Sequence, residues 1–170
     1  PRNMDPYVAR LLATLGDADP IEVLASTSAR LEVFAAGLFD ADWQRSYAPG
    51  AWSAREIVAH LADVELAMGY RFRQALAESG FRPDPFDQDR WATRYRKLDP
   101  ALALAAFGAL RAWNLALFAT FDLSDWLREV AYPLRGVDSV DGMVRILAGH
   151  DLNHWAQLQR LAQAVRGGAA

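Results

Sequence analysis

An all-α, four-helix bundle with short extra helices in its connections is the architecture this chain predicts. Three observations carry that expectation. Four long segments repeat apolar residues at three- and four-residue spacing, and no segment sustains the alternation of a half-buried strand. The long segments are also punctuated by capping residues, prolines and glycines at the places where helices start and stop. A length of 170 residues suits one domain, taken here as 1–170, and 52% hydrophobic content is ample for its core.

A short amphipathic helix is expected over Asp5 to Leu15, stopped by Gly16. The first long helix spans Asp19 to Leu38. Asp19 can cap it and Pro20 suits the first helical position, where a missing N–H costs nothing. Ile21, Leu24, Leu31, Phe34 and Leu38 recur at helical spacing. The second long helix has the clearest start. Pro49-Gly50 breaks the chain, Ser53 caps, and Glu56 completes a capping box. It runs to about Glu78, and Ile57, His60, Leu61, Val64 and Met68 form one stripe along it.

Gly80 to Asp99 is a connection rich in Pro, Asp and Arg, with one short helix expected around Asp87 to Tyr95. A connection of this length in a compact domain is often functional. Asp99-Pro100 opens the third long helix, which continues to about Thr120. Ser124 to Arg128 can form one helical turn, and Tyr132-Pro133 reads as extended. The fourth long helix starts at Ser139 or Val140 and ends at Gly167-Gly168. Long connections permit crossovers, so spacing alone leaves the topology open.

Composition removes several function classes. The net charge is −3 and no basic tract occurs, so nucleic acid is not an expected partner. No unbroken apolar run reaches the roughly 18 residues of a membrane span; the longest candidate, Ala101 to Phe121, is interrupted by Arg111 and Asn114. No apolar leader stands at the start, so no membrane partner and a cytoplasmic location are expected. Cysteine is absent, which excludes disulfides, a protein thiolate nucleophile and a cysteine metal site.

The chain has three histidines, His60, His150 and His154. Residues four apart stack on one helical face, so His150 and His154 can share one ion. Both join the inward rhythm of Leu147, Leu158 and Leu161, and His60 lies on the stripe of the second helix. Three imidazoles leave coordination positions open, as catalytic zinc sites do. A divalent transition metal is the expected cofactor; imidazole suits zinc, nickel, copper and iron alike. Asp63, one turn beyond His60, is the candidate catalytic base, orienting group or weak ligand. Asp151 and Asn153 are rotated away from the ligand face, and Asp151 fits a salt bridge or a role orienting a ligand from behind.

The stretch GAWSAREIVAHLADVELAMGYRFRQAL and the later MVRILAGHDLNHWAQLQRL carry two motifs, W-S-x-x-E-I-x-x-H-L-x-D and H-D-x-x-H. In this order, over Pro6 to Ala164, the sequence resembles the DinB-like superfamily, including its YfiT-like members. The resemblance implies a bundle of up-down-down-up order, a zinc or nickel ion held by His60, His150 and His154, and a homodimer. It also implies bacillithiol- or mycothiol-dependent S-transferases, or metal-dependent hydrolases, as relatives. One departure stands out. Ala131-Tyr132-Pro133 occupies the place where YfiT-like members carry histidine-proline, so no fourth imidazole comes from there.

The function expected from this resemblance is a metal-dependent thiol S-transferase acting on small electrophiles. Without cysteine, the thiol must arrive as a low-molecular-weight cosubstrate. Arg71, Arg94 and Arg111 are candidates to hold its carboxylates, against an ordinary role as surface or salt-bridge arginines. Trp52, Trp91 and Tyr95 are candidates for the pocket mouth, against core packing. Two alternatives stand beside this reading: a hydrolase using metal-bound water, and a non-enzymatic, stress-related metal-binding protein.

Overall fold

Helix starts follow the caps written in the sequence. The computed structural model describes residues 5–133 and 136–167. Its helices are α1 (Pro6–Leu15), α2 (Pro20–Ala36), α3 (Ala54–Ala77), α4 (Gln88–Ala92), α5 (Pro100–Phe118), α6 (Leu123–Trp126) and α7 (Val140–Gly167). The Asp19 carboxylate accepts from the N–H groups of Ile21 at 2.7 Å and Glu22 at 3.2 Å. Ser53 and Glu56 cap one another: the Ser53 N–H donates to Glu56 at 2.8 Å, and the Glu56 N–H to Ser53 Oγ at 3.3 Å. Asp99 receives the Ala101 N–H at 2.8 Å. Each cap satisfies donors that a helix start leaves orphaned, worth about 1 kcal/mol apiece.

The long helices α2, α3, α5 and α7 make a four-helix bundle. Helix α2 packs on α5 and α7, and α3 packs on the same two. Consecutive helices α2 and α3 therefore stand at opposite corners, which the long connections allow. Helix α5 is long and apolar enough, by length and composition, to cross a membrane. Its polar residues Arg111 and Asn114, however, are fully buried against neighbouring helices, so it serves here as a bundle helix.

The bundle core is divided. One apolar cluster holds Leu24, Met68, Phe72, Phe118, Met143 and Leu147. The other holds Leu31, Phe34, Ile57, Leu61, Phe107, Leu158 and Leu161. Along α3, α5 and α7, buried polar side chains interrupt the apolar stripes: His60 and Glu65, then Arg111 and Asn114, then His150, Asp151 and His154. The histidines thus belong to a polar layer across the middle of the bundle.

Two features go beyond the sequence expectation. The segment around Tyr132 is an antiparallel hairpin, β1 (Glu129–Tyr132) with β2 (Gly136–Ser139), with Val130 opposite Asp138. Four-residue strands are too short to display alternation, and only the extended reading of Tyr132-Pro133 anticipated this. The Ala131 N–H donates to the Phe81 carbonyl at 2.9 Å and ties the hairpin to the connection after α3. The helix expected around Asp87 to Tyr95 is split into α4 and a 3-10 turn at Tyr95–Lys97, and another 3-10 turn occupies Asp40–Gln44.

Helix α1 packs lengthwise on α7. The backbones come close at Gly149, where a Cβ would collide with the backbone carbonyl of Leu11. Glycine is what lets the two backbones approach. Gly149→Ala is expected to destabilise the protein by about 1–3 kcal/mol by pushing α1 off α7. Denaturant unfolding measures the loss, and limited proteolysis should place the new cleavage in α1; an unchanged midpoint would refute the close-packing argument.

Candidate functional site

His60 comes from the second turn of α3, and His150 and His154 from successive turns of α7. All three are buried. The Nε2 atoms of His60 and His150 lie 3.0 Å apart, and those of His150 and His154 lie 3.1 Å apart. One nitrogen from each ring fits within 4.8 Å of the others. Two nitrogens bound to one zinc ion at about 2.0–2.1 Å sit roughly 2.9 Å apart at a right angle and roughly 3.4 Å apart at the tetrahedral angle. The His60–His150 and His150–His154 separations fall between these limits, as expected for two pairs of donors on a single divalent ion, and the third pair stands within 4.8 Å.

Protonation agrees with that fit. Burial lowers all three imidazole pKa values, bringing His60 down to about 3, with the neighbouring His154 adding to the effect. Neutral imidazole is the form that binds metal. The Gln157 side-chain oxygen lies 2.8 Å from His154 Nδ1. An oxygen acceptor there requires the proton on Nδ1, which turns the Nε2 lone pair toward the other two rings. The Nδ1 atoms of His60 and His150 are buried with no hydrogen-bond partner among the described residues.

Aromatic rings close one side of the centre. Trp52 lies parallel to His154, with ring centres 6.2 Å apart, and 4.8 Å from the His60 ring. Tyr95 packs edge-on against Trp52 at 6.1 Å. Trp52 and Tyr95 therefore wall the histidine centre itself. Trp91 does not reach it; it is partly exposed and packs on Phe86.

Another side opens into a cavity of about 330 Å³ with His150 in its wall. Leu11, Val64, Met68, Met143 and Leu147 line it with apolar surface, and Tyr7, Arg71 and Tyr132 add polar groups. Tyr132, standing where histidine was the alternative, is thus part of the cavity wall. Arg71 donates to the Asp84 carbonyl at 2.6 Å and lies over the Phe86 ring at 5.2 Å.

The remaining candidates separate. Asp63 is half-buried beside Tyr95, outside the cavity lining and outside the three-histidine cluster. Burial pushes its carboxyl pKa up, against the opposing pull of Tyr95. Burial and the Asp63 carboxylate push the Tyr95 phenol upward in turn; its hydroxyl is buried without a hydrogen bond of standard geometry among the described residues. Arg94 is exposed on the 88–97 segment. Arg111 is a core residue, and Asp151 makes the salt bridge its position on α7 suggested, at 2.6 Å to Arg111.

Sequence reasoning missed Glu65 and Gln157. Gln157 was within reach, because it follows His154 by one helical turn on the same face. Glu65 gave only an indirect signal: Arg111 and Asn114 inside an apolar helix demand buried partners.

Fold and site together define a four-helix bundle with a three-histidine centre suited to a divalent metal. The chain belongs to the DinB superfamily, whose family model matches residues 24–158. A proposed metal-dependent hydrolase of Bacillus licheniformis is 30% identical over 128 residues, spanning 74% of this chain and 73% of that protein. YfiT of Bacillus subtilis, also a proposed metal-dependent hydrolase, is 25% identical over 148 residues, 85% of this chain and 83% of its own. The solved YfiT structure, described as an unusual four-helix bundle, superposes with a TM-score of 0.81 at 24% identity, covering 86% of this chain and 85% of YfiT. A mycothiol-dependent maleylpyruvate isomerase shares the fold at a TM-score of 0.65 and 14% identity, over 86% of this chain and 62% of the isomerase.

Two outcomes are expected of this site. The unfolded chain binds protons at its histidines near pH 6.5, and the folded chain binds them only well below that. Stability of the metal-free protein should hold above about pH 6.5 and fall as pH drops toward 3, with loss already measurable between pH 6.5 and 5, above the carboxylate range. Urea unfolding across that range tests this, and a flat profile would contradict it. Gln157→Leu should weaken zinc or nickel binding by about 10–100-fold, read by competition with a chelating dye.

Proposed function

We propose that this chain is a divalent-metal-dependent enzyme that transfers a small-molecule thiol to an apolar electrophile, with His60, His150 and His154 as the metal ligands. The observation that carries the proposal is the apolar cavity opening on His150, with the convergent Nε2 atoms behind it. A buried histidine cluster without an adjoining space would have no substrate to act on. Zinc and nickel are the ions proposed. A divalent ion held there supplies a lowered pKa to a coordinated thiol or water.

The chain's own groups define the rest of the work. Leu11, Val64, Met68, Met143 and Leu147 exclude water and favour an apolar electrophile. Phe86 and the Asp84 carbonyl orient Arg71, whose charge suits an anionic group on either substrate. With no cysteine in the sequence, the thiol comes from solution. The fold shared with a mycothiol-dependent isomerase supports a thiol cosubstrate. Asp63, expected as the base, is proposed to act through Tyr95 on the packing of Trp52 and His60.

A hydrolytic reading is favoured by the names of the relatives in Bacillus licheniformis and Bacillus subtilis. The same ligands and cavity would serve it, and thiol dependence separates the two readings.

Purified protein is expected to bind one zinc or nickel ion per chain, and His150→Ala to bind none, by elemental analysis after dialysis. With bacillithiol, mycothiol or cysteine and a bimane electrophile, turnover should require both thiol and metal, and His150→Ala should lower it at least about 100-fold. Metal-dependent ester or amide hydrolysis without thiol would decide for the second reading. A wild-type chain that binds no ion would overturn both.

A further inference from the structure

The polar layer contains more charge than a structural salt bridge needs. The Arg111 side chain is fully buried. It donates to Asp151 at 2.6 and 3.2 Å, to Glu65 at 2.7 Å and to the Leu24 carbonyl at 2.9 Å. Asn114 Nδ2 donates to the other Glu65 oxygen at 2.8 Å, and its own oxygen accepts from Arg73 at 2.7 Å. Every helix of the bundle is tied in. One guanidinium faces two carboxylates, all three nearly inaccessible to solvent. The cluster thus buries one excess negative charge, with the partly buried Arg73 reached only through Asn114.

An uncompensated charge in a core is costly, and proteins retain it where something answers it. The histidine centre is the candidate that answers it here. Asp151 follows His150 directly and lies one turn before His154. Asp151 stands between His150 and His154 on α7, and Glu65 stands on α3, the helix that carries His60, so both buried carboxylates share the layer and the helices of the imidazoles.

We propose that the buried Glu65–Arg111–Asp151 cluster is the counter-charge of the three-histidine centre, positioning α7 and supplying the negative charge that three neutral ligands lack. Asp151 and Glu65 are positioning residues that act on the ion through space. The inference rests on the metal reading above. It adds a role for residues that touch neither the ion nor the cavity.

Asp151→Asn and Glu65→Gln remove charge while keeping an oxygen to accept from Arg111. A structural salt bridge and a counter-charge predict different results. If the cluster is a counter-charge, either variant weakens cobalt(II) and zinc binding by about tenfold or more. A fall in the metal-free melting temperature can accompany that loss and does not decide the matter, because both oxygens of each carboxylate accept hydrogen bonds; the affinity decides. If it is only structural, the metal-free melting temperature falls and affinity stays within about twofold of wild type; that result overturns the proposal. Affinity comes from cobalt(II) absorption titration with zinc competition, and stability from metal-free thermal unfolding. Glu65→Gln keeps the test open should Asp151→Asn fail to fold. A wild-type chain without cobalt or zinc affinity would instead remove the metal reading itself, and this inference with it.

Discussion

The constraint on which this fold depends is the burial of a polar layer between two apolar clusters. Desolvating charge and imidazole in the middle of a bundle is unfavourable unless the groups are paired or neutral. Both solutions are used. Arg111, Glu65, Asp151 and Asn114 pair with one another and with the Leu24 carbonyl at 2.6–3.3 Å, leaving only Arg111 Nε of this cluster's side-chain donors without a partner among the described residues. The three histidines are kept neutral by burial. Apolar contacts tolerate small slides between helices, but a bidentate guanidinium does not. The layer therefore fixes the relative rotation and register of α3, α5 and α7, and with them the spacing of the Nε2 atoms.

Helix packing adapts to that layer. Gly69 on α3 faces Asn114, whose amide lies 2.8 Å from where a Cβ would be, so a side chain there would displace the link to Glu65. Gly149 performs a similar service one residue before His150, by admitting the backbone of α1. Both positions exchange helix propensity for close approach, a cost of about 1 kcal/mol each relative to alanine. The long connections then become intelligible. They carry the chain between opposite corners of the bundle, and the segment after α3 supplies Pro83, Pro85 and Phe86 to the cavity wall.

Much of this was legible in the sequence. Caps at Asp19, Ser53 and Asp99 announced the helix starts, because a helix start is a local event with a local chemical requirement. The inward direction of His60, His150 and His154 followed from periodicity, and their meeting needed only that two stripes face one core. The Glu65–Arg111–Asp151 cluster was not legible, since its partners are 40 and 46 residues apart in the chain. The fate of Asp63 was not legible either. It shares a helical face with His60, yet its direction is decided by Tyr95 arriving from a distant 3-10 turn. The hairpin escaped because its strands are short and its sides are only half-buried.

The site divides its tasks between different parts of the chain. Residues 24–158, the span matched by the family, contain the three histidines, Gln157 and the whole Glu65–Arg111–Asp151 cluster. Helix α1 lies before that span, yet its Leu11 and Tyr7 form part of the cavity wall. Holding an ion calls for rigid helices in fixed register, and those are the central members of the bundle. Shaping a substrate space calls only for a surface laid against them. A short helix seated at a glycine can change its side chains without disturbing the polar layer beneath. Chemistry and selectivity thus have separate sources: the first lies in the charges buried in the bundle, the second in what α1, the 83–86 segment and the β1–β2 hairpin place over the open side of His150.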